Sequence, residues 1–252
     1  MISMQKPKAI IFDVGGVLRY SEKALHHSMK KAFENSGMKF PFSSQTLWKM
    51  RGFESANSSY NTIKILMILL RDEKSLEEIM ELENAEELIG AILKESVDDN
   101  LRRKIMEDYT KIFSSQEVKD MVEIYSGVKE SVAALKDAKI ILGISTNSTH
   151  AAVERDLKDI GLENFSTIVG QEDVKNKKPH PEGILLACEK LAVNPKETVY
   201  VGDAASDIAA AKAAGCISVA LLCGMGTEKV LRAAKPDFVF ADLKEMVENI
   251  LG

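Results

Sequence analysis

The pattern of apolar and polar positions changes twice along the chain. Residues 8–20 contain an apolar run of strand length that ends at Asp13 and is followed by a glycine turn. Residues 22–125 place apolar side chains at helical spacing and show no alternating strand pattern. From residue 126 onwards, short apolar runs alternate with amphipathic segments, which is typical of a parallel sheet covered by helices on both faces. The pattern therefore predicts an α/β fold, a Rossmann-like parallel sheet core with an inserted all-helical domain.

The predicted elements divide the chain into two parts. Residues 1–20 and 126–252 are expected to form the α/β core domain, and residues 21–125 the helical insertion. In the insertion we predict helices over residues 24–36, 58–71, 75–94 and 97–113, with a helix-breaking stretch at residues 48–60. In the core we predict strands at residues 140–145, 167–170, 198–202, 217–222 and 237–240, separated by helices at residues 128–136, 151–160, 181–191, 207–214 and 243–251.

Composition narrows the class of protein. The 252 residues carry a formal net charge of −5, which argues against a general nucleic-acid binder. The three cysteines show no CxxC spacing, so we expect reduced thiols. The apolar run at residues 63–70 is too short to span a bilayer, and the N-terminal residues lack the layout of a signal peptide. We therefore expect a cytoplasmic protein without a membrane partner, either a monomer or a homodimer.

Polar side chains follow the predicted strands. Ligands of parallel sheets bind beyond the carboxyl ends of the strands, so these side chains are candidates for a common site. They are a hydroxyl, an amide, a lysine and three carboxylates, namely Thr146, Asn147, Lys178, Asp13, Asp203 and Asp207. A nucleophile, an anion-binding group and a set of metal ligands are all represented among them.

At these positions the sequence resembles the haloacid dehalogenase superfamily of hydrolases. FDVGGVLRYS, ISTNS, KKPHPE and VGDAASDIAAAKAAG are similar, in this order, to the four motifs of that superfamily. The resemblance covers essentially the whole chain and implies that the helical insertion is the cap domain placed after the first motif.

The resemblance also implies roles for the catalytic residues. Asp13 would be the nucleophile that attacks phosphorus and forms an aspartyl-phosphate. Thr146 would donate a hydrogen bond to a phosphoryl oxygen, and Lys178 would hold the nucleophile and neutralise charge. Because the carboxylate and the phosphate repel each other, a divalent cation and a lysine would have to screen both before attack.

The same resemblance implies a metal site and one departure from the family pattern. Mg²⁺ would be bound by Asp13, Asp203, Asp207 and the backbone carbonyl of residue 15. In the family pattern, residue 15 also carries a carboxylate that protonates the leaving group and then activates water. Gly15 keeps the carbonyl and lacks the carboxylate, so we expect metal binding to survive and general acid–base catalysis to be lost.

Three interpretations of Gly15 remain open. The first is a phosphatase acting on a small phosphorylated metabolite, either with a good leaving group such as an acyl or aryl phosphate or with an acid supplied by the cap, where Glu22 and Glu54 are candidates. The second is a 2-haloacid dehalogenase or another carbon-centred hydrolase, against which the two motif-four aspartates argue. The third is a non-catalytic binding protein that keeps the fold. We favour the phosphatase, because a site without activity has no need of a complete set of Mg²⁺ ligands.

Substrate-binding residues are harder to assign. Asn147 follows a predicted strand, and Arg19 lies near the hinge between the two predicted domains. In the cap, Arg51 is suited to bind an anion through two hydrogen bonds, and Trp48 to stack on a substrate.

Overall fold

A computed structural model of the chain describes residues 4–252, and these residues form two units. The first unit contains the chain up to Tyr20 together with Glu123–Gly252, and the second contains Ser21–Val122. That the two units are separate core and cap domains remains a prediction.

The strands all belong to the first unit. In chain order they are β1 (Ala9–Phe12), β2 (Arg19–Tyr20), β3 (Glu123–Ile124), β4 (Ile141–Ser145), β5 (Thr167–Val169), β6 (Thr198–Gly202), β7 (Ile217–Leu221) and β8 (Phe238–Phe240). Six of them form a parallel sheet in the order β5-β4-β1-β6-β7-β8. This confirms the predicted Rossmann-like α/β core.

Strand β1 lies in the middle of this sheet and is fully buried. It pairs with β4 on one side and β6 on the other, with Phe12 opposite Ile144 and Val201. Helices cover both faces, so the run AIIF is apolar at every position instead of alternating. The residues that follow β1, β4 and β6 therefore emerge side by side at one edge of the sheet.

The α-helices occur in both units. They are α1 (Glu22–Asn35), α2 (Ser44–Met50), α3 (Ser59–Arg71), α4 (Leu76–Glu81), α5 (Ala85–Ile92), α6 (Asp99–Phe113), α7 (Gln116–Lys119), α8 (Val128–Asp137), α9 (His150–Asp159), α10 (Glu182–Leu191), α11 (Ala205–Ala214), α12 (Glu228–Ala233) and α13 (Leu243–Leu251). Helices α1–α7 make up the second unit, which contains no strand among the residues that the structure describes. Among all the residues that the structure describes, no helix is long and apolar enough to cross a membrane.

Several elements differ from the sequence prediction. The helix predicted over residues 75–94 is two helices, because Leu82 adopts an extended backbone that ends α4. The stretch predicted to break helices contains the last turn of α2. This helix begins after Ser43, whose side chain accepts a hydrogen bond from the Thr46 N–H. Strands β2 and β3 pair antiparallel and were not predicted, since two residues each are too short for a periodicity signal.

Candidate active site

Three carboxylates meet at the edge of the sheet beyond β1 and β6. Asp13 follows β1 directly, and its N–H donates to the carbonyl of Val201 on β6. Asp203 follows β6, and Asp207 lies in the first turn of α11. One carboxylate oxygen from each aspartate lies within 4.8 Å of the other two, and the side chains are buried, at 8%, 0% and 2% exposed for Asp13, Asp203 and Asp207. The structure thus brings together the three carboxylates that the sequence places far apart.

Burial and mutual repulsion make this cluster electrostatically unfavourable when all three carboxylates are charged. Burial, followed by the charges of Asp207 and Asp13, raises the pKa of Asp203 well above its ordinary value. Burial also raises the pKa of Asp207, against the opposing charge of Lys178. The cluster therefore favours either a proton or a cation.

Lys178 supplies one positive charge to this cluster. Its Nζ donates to Asp13 Oδ1 at 2.9 Å, to Asp207 Oδ1 at 2.5 Å and to the Tyr200 hydroxyl at 2.8 Å. Burial by itself lowers the pKa of Lys178, but the charges of Asp13 and Asp207 outweigh it and hold the pKa well above its usual value. The ammonium is therefore charged, and it links the first and last carboxylates of the cluster.

Tyr200 is a member of the site that the sequence analysis missed. It lies on β6, is fully buried and donates its hydroxyl proton to the Ser145 carbonyl at 2.9 Å. The same hydroxyl accepts from Lys178 and lies 3.3 Å from Asp207 Oδ1. A tyrosine in an otherwise apolar central strand was the available signal, because a buried phenol needs a hydrogen-bond partner.

The loop after β7 encloses Asp203 and was also missed. The N–H of Met225 donates to Asp203 Oδ2 at 2.6 Å, and the N–H of Gly226 donates to the Asp203 carbonyl at 2.8 Å. A Cβ atom at Gly16 or at Gly224 would overlap the Asp203 carboxylate, so both positions require glycine. The sequence signal was the Gly-Met-Gly run directly beyond a strand.

One oxygen of Asp203 has no partner in the described structure. Asp203 Oδ1 is buried and accepts no hydrogen bond, whereas Oδ2 is held by the loop after β7. A buried carboxylate oxygen without a partner is costly, and a cation is the group that would satisfy it.

Thr146 and Asn147 follow β4, next to β1 in the sheet. Thr146 is buried; its N–H donates to Val169, and its hydroxyl accepts from the Ser148 N–H at 3.3 Å. The Asn147 side chain accepts from the Lys178 N–H at 3.1 Å and donates to the Lys178 carbonyl at 3.4 Å. The described contacts of Asn147 thus hold the backbone of Lys178, and substrate contact by Asn147 remains a prediction.

Gly15 lies in the turn between Asp13 and Gly16. A Cβ atom at Gly15 would meet no other heavy atom within 4 Å, in contrast to its neighbour Gly16. The turn is closed by the Gly16 N–H, which donates to the Arg19 carbonyl at 2.9 Å. The position therefore has room for a Cβ atom.

The remaining candidates have partners of their own. Arg19 pairs with Asp156 at 3.1 Å, a partner outside the carboxylate cluster. Arg51 belongs to the second unit, where its Nη1 donates to the hydroxyls of Ser59 and Thr62 and burial lowers its pKa. Trp48, in the same unit, is buried. Substrate binding by Arg19 and Arg51 remains a prediction.

The two glutamates considered as replacement acids also belong to the second unit. Glu22 accepts a hydrogen bond from the Ser44 hydroxyl at 2.7 Å. The backbone N–H of Glu54 donates to the Glu86 carboxylate at 2.8 Å. Neither contact tests a catalytic role.

The chain is similar in sequence to known phosphatases over part of its length. Phosphoglycolate phosphatase of Salmonella typhi is 35% identical over 125 residues, which is 49% of this chain and 50% of the relative. Phosphoglycolate phosphatase of Shigella boydii serotype 4 is 30% identical over 159 residues, or 61% of this chain and 63% of the relative. The chain thus spans between half and two thirds of the length of these relatives.

Solved structures share the fold over nearly the whole chain. A protein described as a predicted phosphoglycolate phosphatase from Haemophilus somnus superposes with a TM-score of 0.72 and 26% identity, covering 97% of this chain and 98% of the other. A hydrolase from Pseudomonas syringae superposes with a TM-score of 0.67 and 20% identity over 96% of each chain, which is a similarity of fold alone. A family model described as haloacid dehalogenase-like hydrolase matches residues 10–221. The chain belongs to the haloacid dehalogenase-like hydrolase family.

Proposed function

We propose that this protein is a Mg²⁺-dependent phosphatase that hydrolyses a small phosphorylated metabolite through an aspartyl-phosphate on Asp13. The observation that carries the proposal is the buried cluster of Asp13, Asp203 and Asp207 with the Lys178 ammonium between two of its members. A cluster built to hold cations beside a nucleophile suits a dianionic substrate.

The residues present fit a hard divalent cation. The donor set consists of carboxylate oxygens, which Mg²⁺ prefers, and Asp203 Oδ1 is buried without another partner. Asp13, Asp203, Asp207 and the Gly15 carbonyl would hold the ion. When bound, it would supply charge that offsets the repulsion between Asp13 and the phosphoryl group.

In the first step, the Asp13 carboxylate attacks phosphorus in line with the bond to the leaving group. Lys178 positions the Asp13 carboxylate by donating to Oδ1. Its positive charge also lowers the energy of the negative charge that gathers as the two anions approach. Thr146 contributes a hydroxyl to one phosphoryl oxygen. The products of this step are a phosphorylated Asp13 and the leaving group, whose oxygen keeps the electron pair of the broken bond and takes up a proton from solvent.

In the second step, water attacks the phosphorus of the aspartyl-phosphate and restores the Asp13 carboxylate. The aspartyl group leaves as a carboxylate and needs no proton. Lys178 again stabilises the anion that reappears on Asp13. Splitting the reaction in two thus uses one carboxylate first as nucleophile and then as leaving group.

The proposed substrate is a small phosphorylated metabolite. The relatives named phosphoglycolate phosphatase make small carboxylated phosphates the first class of compound to assay, with enol and acyl phosphates tested beside the alkyl phosphate. Two arginines, Arg19 and Arg51, are the proposed contacts to the remainder of the substrate, with Asn147. We further propose a cytoplasmic monomer or homodimer, for which size-exclusion chromatography with light scattering is the test.

Hydrolysis of para-nitrophenyl phosphate tests the activity. We expect turnover with Mg²⁺ that stops on addition of EDTA and is absent from Asp13→Asn. The matched control is Asp237→Asn, which changes a carboxylate of the same unit that accepts hydrogen bonds from the Ser218 N–H and hydroxyl on β7, outside the cluster. Turnover of a 2-haloacid without metal, and none of phosphate esters, would instead identify a dehalogenase.

A further inference from the structure

Cleavage of a phosphate ester leaves negative charge on the leaving oxygen, and an alkoxide leaves readily only when an acid protonates it. The structure allows the proton donors around Asp13 to be counted within the first unit. The inference below rests on the proposed phosphatase function and concerns which phosphates the site can cleave.

The charged groups at the site are already engaged. An ammonium has three N–H donors, and Lys178 directs them at Asp13, Asp207 and Tyr200. Asp203 and Asp207 are the proposed cation ligands, and a carboxylate that binds a cation carries no proton to give. None of these groups has a free proton for a leaving oxygen.

The neutral hydroxyls have other roles, and that of Thr146 is the proposed donor to a phosphoryl oxygen. The Tyr200 hydroxyl donates its single proton to the Ser145 carbonyl. The backbone N–H groups of Met225, Ala204 and Asp203 also donate to the carboxylates of the cluster. Among the described partners of Asp13, Lys178, Asp203 and Asp207, therefore, no carboxylic acid or imidazole is available outside the cluster itself.

The position where an acid would be built is open. Gly15 lies two residues after the nucleophile, and a Cβ atom there would meet nothing within 4 Å. Packing thus does not exclude a Cβ atom at Gly15, whereas at Gly16 a Cβ would overlap Asp203. The engaged donors are the ground for the inference, and the open position at Gly15 allows an acid to be introduced there by substitution.

We propose that the substrates of this protein are phosphates whose leaving group departs as a stable anion, namely acyl, enol and aryl phosphates, and that alkyl phosphates are poor substrates. The bond from Asp13 to phosphorus forms as the bond from phosphorus to the leaving oxygen breaks. The electron pair of that bond stays on the leaving oxygen, which departs as a carboxylate, enolate or phenolate. Water then cleaves the aspartyl-phosphate, and its protons pass to the released phosphate and to solvent.

Phenyl phosphate and benzyl phosphate are a matched pair of probes for this proposal. They are similar in size and shape, but one releases a phenolate and the other an alkoxide. The ratio of their kcat/KM values reports the step in which Asp13 attacks, because release of the alcohol is the first irreversible event. With Mg²⁺, we expect phenyl phosphate to be favoured by at least about 10²-fold, the usual contribution of a general acid.

Gly15→Asp installs the missing acid and provides the second readout. We expect this variant to raise kcat/KM for benzyl phosphate and to narrow the phenyl-to-benzyl ratio at least about tenfold. Gly15→Asn, of nearly the same size and without an ionisable group, should leave the ratio wide. If the variants do not fold, the ratio of kcat/KM for phenyl and benzyl phosphate in the unmodified protein still tests the proposal.

The outcomes separate this inference from the proposed function. Comparable kcat/KM values for phenyl and benzyl phosphate in the unmodified protein would overturn the inference, show that an acid comes from elsewhere, and leave the phosphatase standing. A narrowed ratio in Gly15→Asn as well as in Gly15→Asp would also overturn it. No Mg²⁺-dependent hydrolysis of any aryl phosphate, including para-nitrophenyl phosphate, would overturn both.

Discussion

Lys178 Nζ and Asp207 Oδ1 lie 2.5 Å apart although 29 residues separate them in the chain, and both groups are buried. The same ammonium donates to Asp13, so one lysine connects the proposed nucleophile to the first turn of α11. The contact joins the loop that precedes α10 to the first turn of α11, so the protein itself holds the Asp13 carboxylate in place.

Replacing Lys178 by Met should both inactivate and destabilise the protein. Met keeps the length of the side chain and leaves Asp13 and Asp207 without their cation. Breaking a buried pair by removing one partner typically costs about 3–5 kcal/mol. Chemical denaturation in EDTA would measure that loss. An unchanged free energy of unfolding would mean that the pair contributes nothing to folding, whereas Lys8→Met, which breaks an exposed pair with Glu197, should cost about 1 kcal/mol or less.

Glycine should be required for stability at position 16 but not at position 15. In Gly16→Ala the new Cβ would overlap the Asp203 carboxylate, and the residue has a φ of +81°, which disfavours alanine. We expect loss of Mg²⁺ binding and of more than about 1 kcal/mol of stability. Gly15→Ala is the matched control for stability, because its Cβ would meet nothing within 4 Å. Calorimetric Mg²⁺ titration and thermal unfolding would report both, and equal behaviour of the two variants would contradict the described packing.

Stability without metal should depend on pH through Asp203. The folded-state pKa of Asp203 is raised above 3.8, so between 3.8 and that raised pKa the folded state binds more protons than the unfolded state. The contribution of this group therefore falls as pH rises through that window. The measurement is chemical denaturation of the unmodified protein and of Asp203→Asn in EDTA at several pH values. The free energy of unfolding of the unmodified protein, relative to that of the variant, should decline from pH 4 towards neutrality. A difference that grows with pH would contradict this sign.

Removing the Tyr200 hydroxyl should weaken the support of Lys178. Tyr200→Phe leaves the Ser145 carbonyl and one Lys178 N–H without their buried partner, at a cost of about 1–3 kcal/mol. We expect kcat to fall while KM changes little, because Tyr200 acts through its hydrogen bond to Lys178. Tyr60→Phe is the control: this tyrosine is exposed and keeps its ring over the Arg102 guanidinium. An equal loss in both variants would argue against a role for Tyr200 in positioning Lys178.

The residues recognised from sequence are those that follow a strand or begin a helix. Asp13, Thr146 and Asp203 each stand directly after a buried apolar run, and runs of that kind are visible in one dimension. The parallel topology then brings them together without further information. For that reason the sheet and the carboxylate cluster were predictable.

The missed features depend on contacts between distant segments. Tyr200 acquires its role only because Lys178, 22 residues away, reaches the same point, and Asn147 binds the backbone of Lys178 across 31 residues. The loop at residues 224–226 contacts Asp203 from beyond the next strand. No local periodicity predicts such pairings. Strands β2 and β3, with two residues each, are also too short to be predicted from periodicity.

The most direct test of the account is to detect the phosphoryl group on Asp13. The protein is mixed with Mg²⁺ and excess para-nitrophenyl phosphate, quenched in acid within the first turnovers, and digested for mass spectrometry. The account predicts a peptide containing Asp13 that carries one phosphoryl group, is lost on longer incubation after the substrate is exhausted, and never forms in Asp13→Asn. Turnover accompanied by a phosphoryl group on a different residue, or by none on any peptide during steady-state hydrolysis, would contradict it.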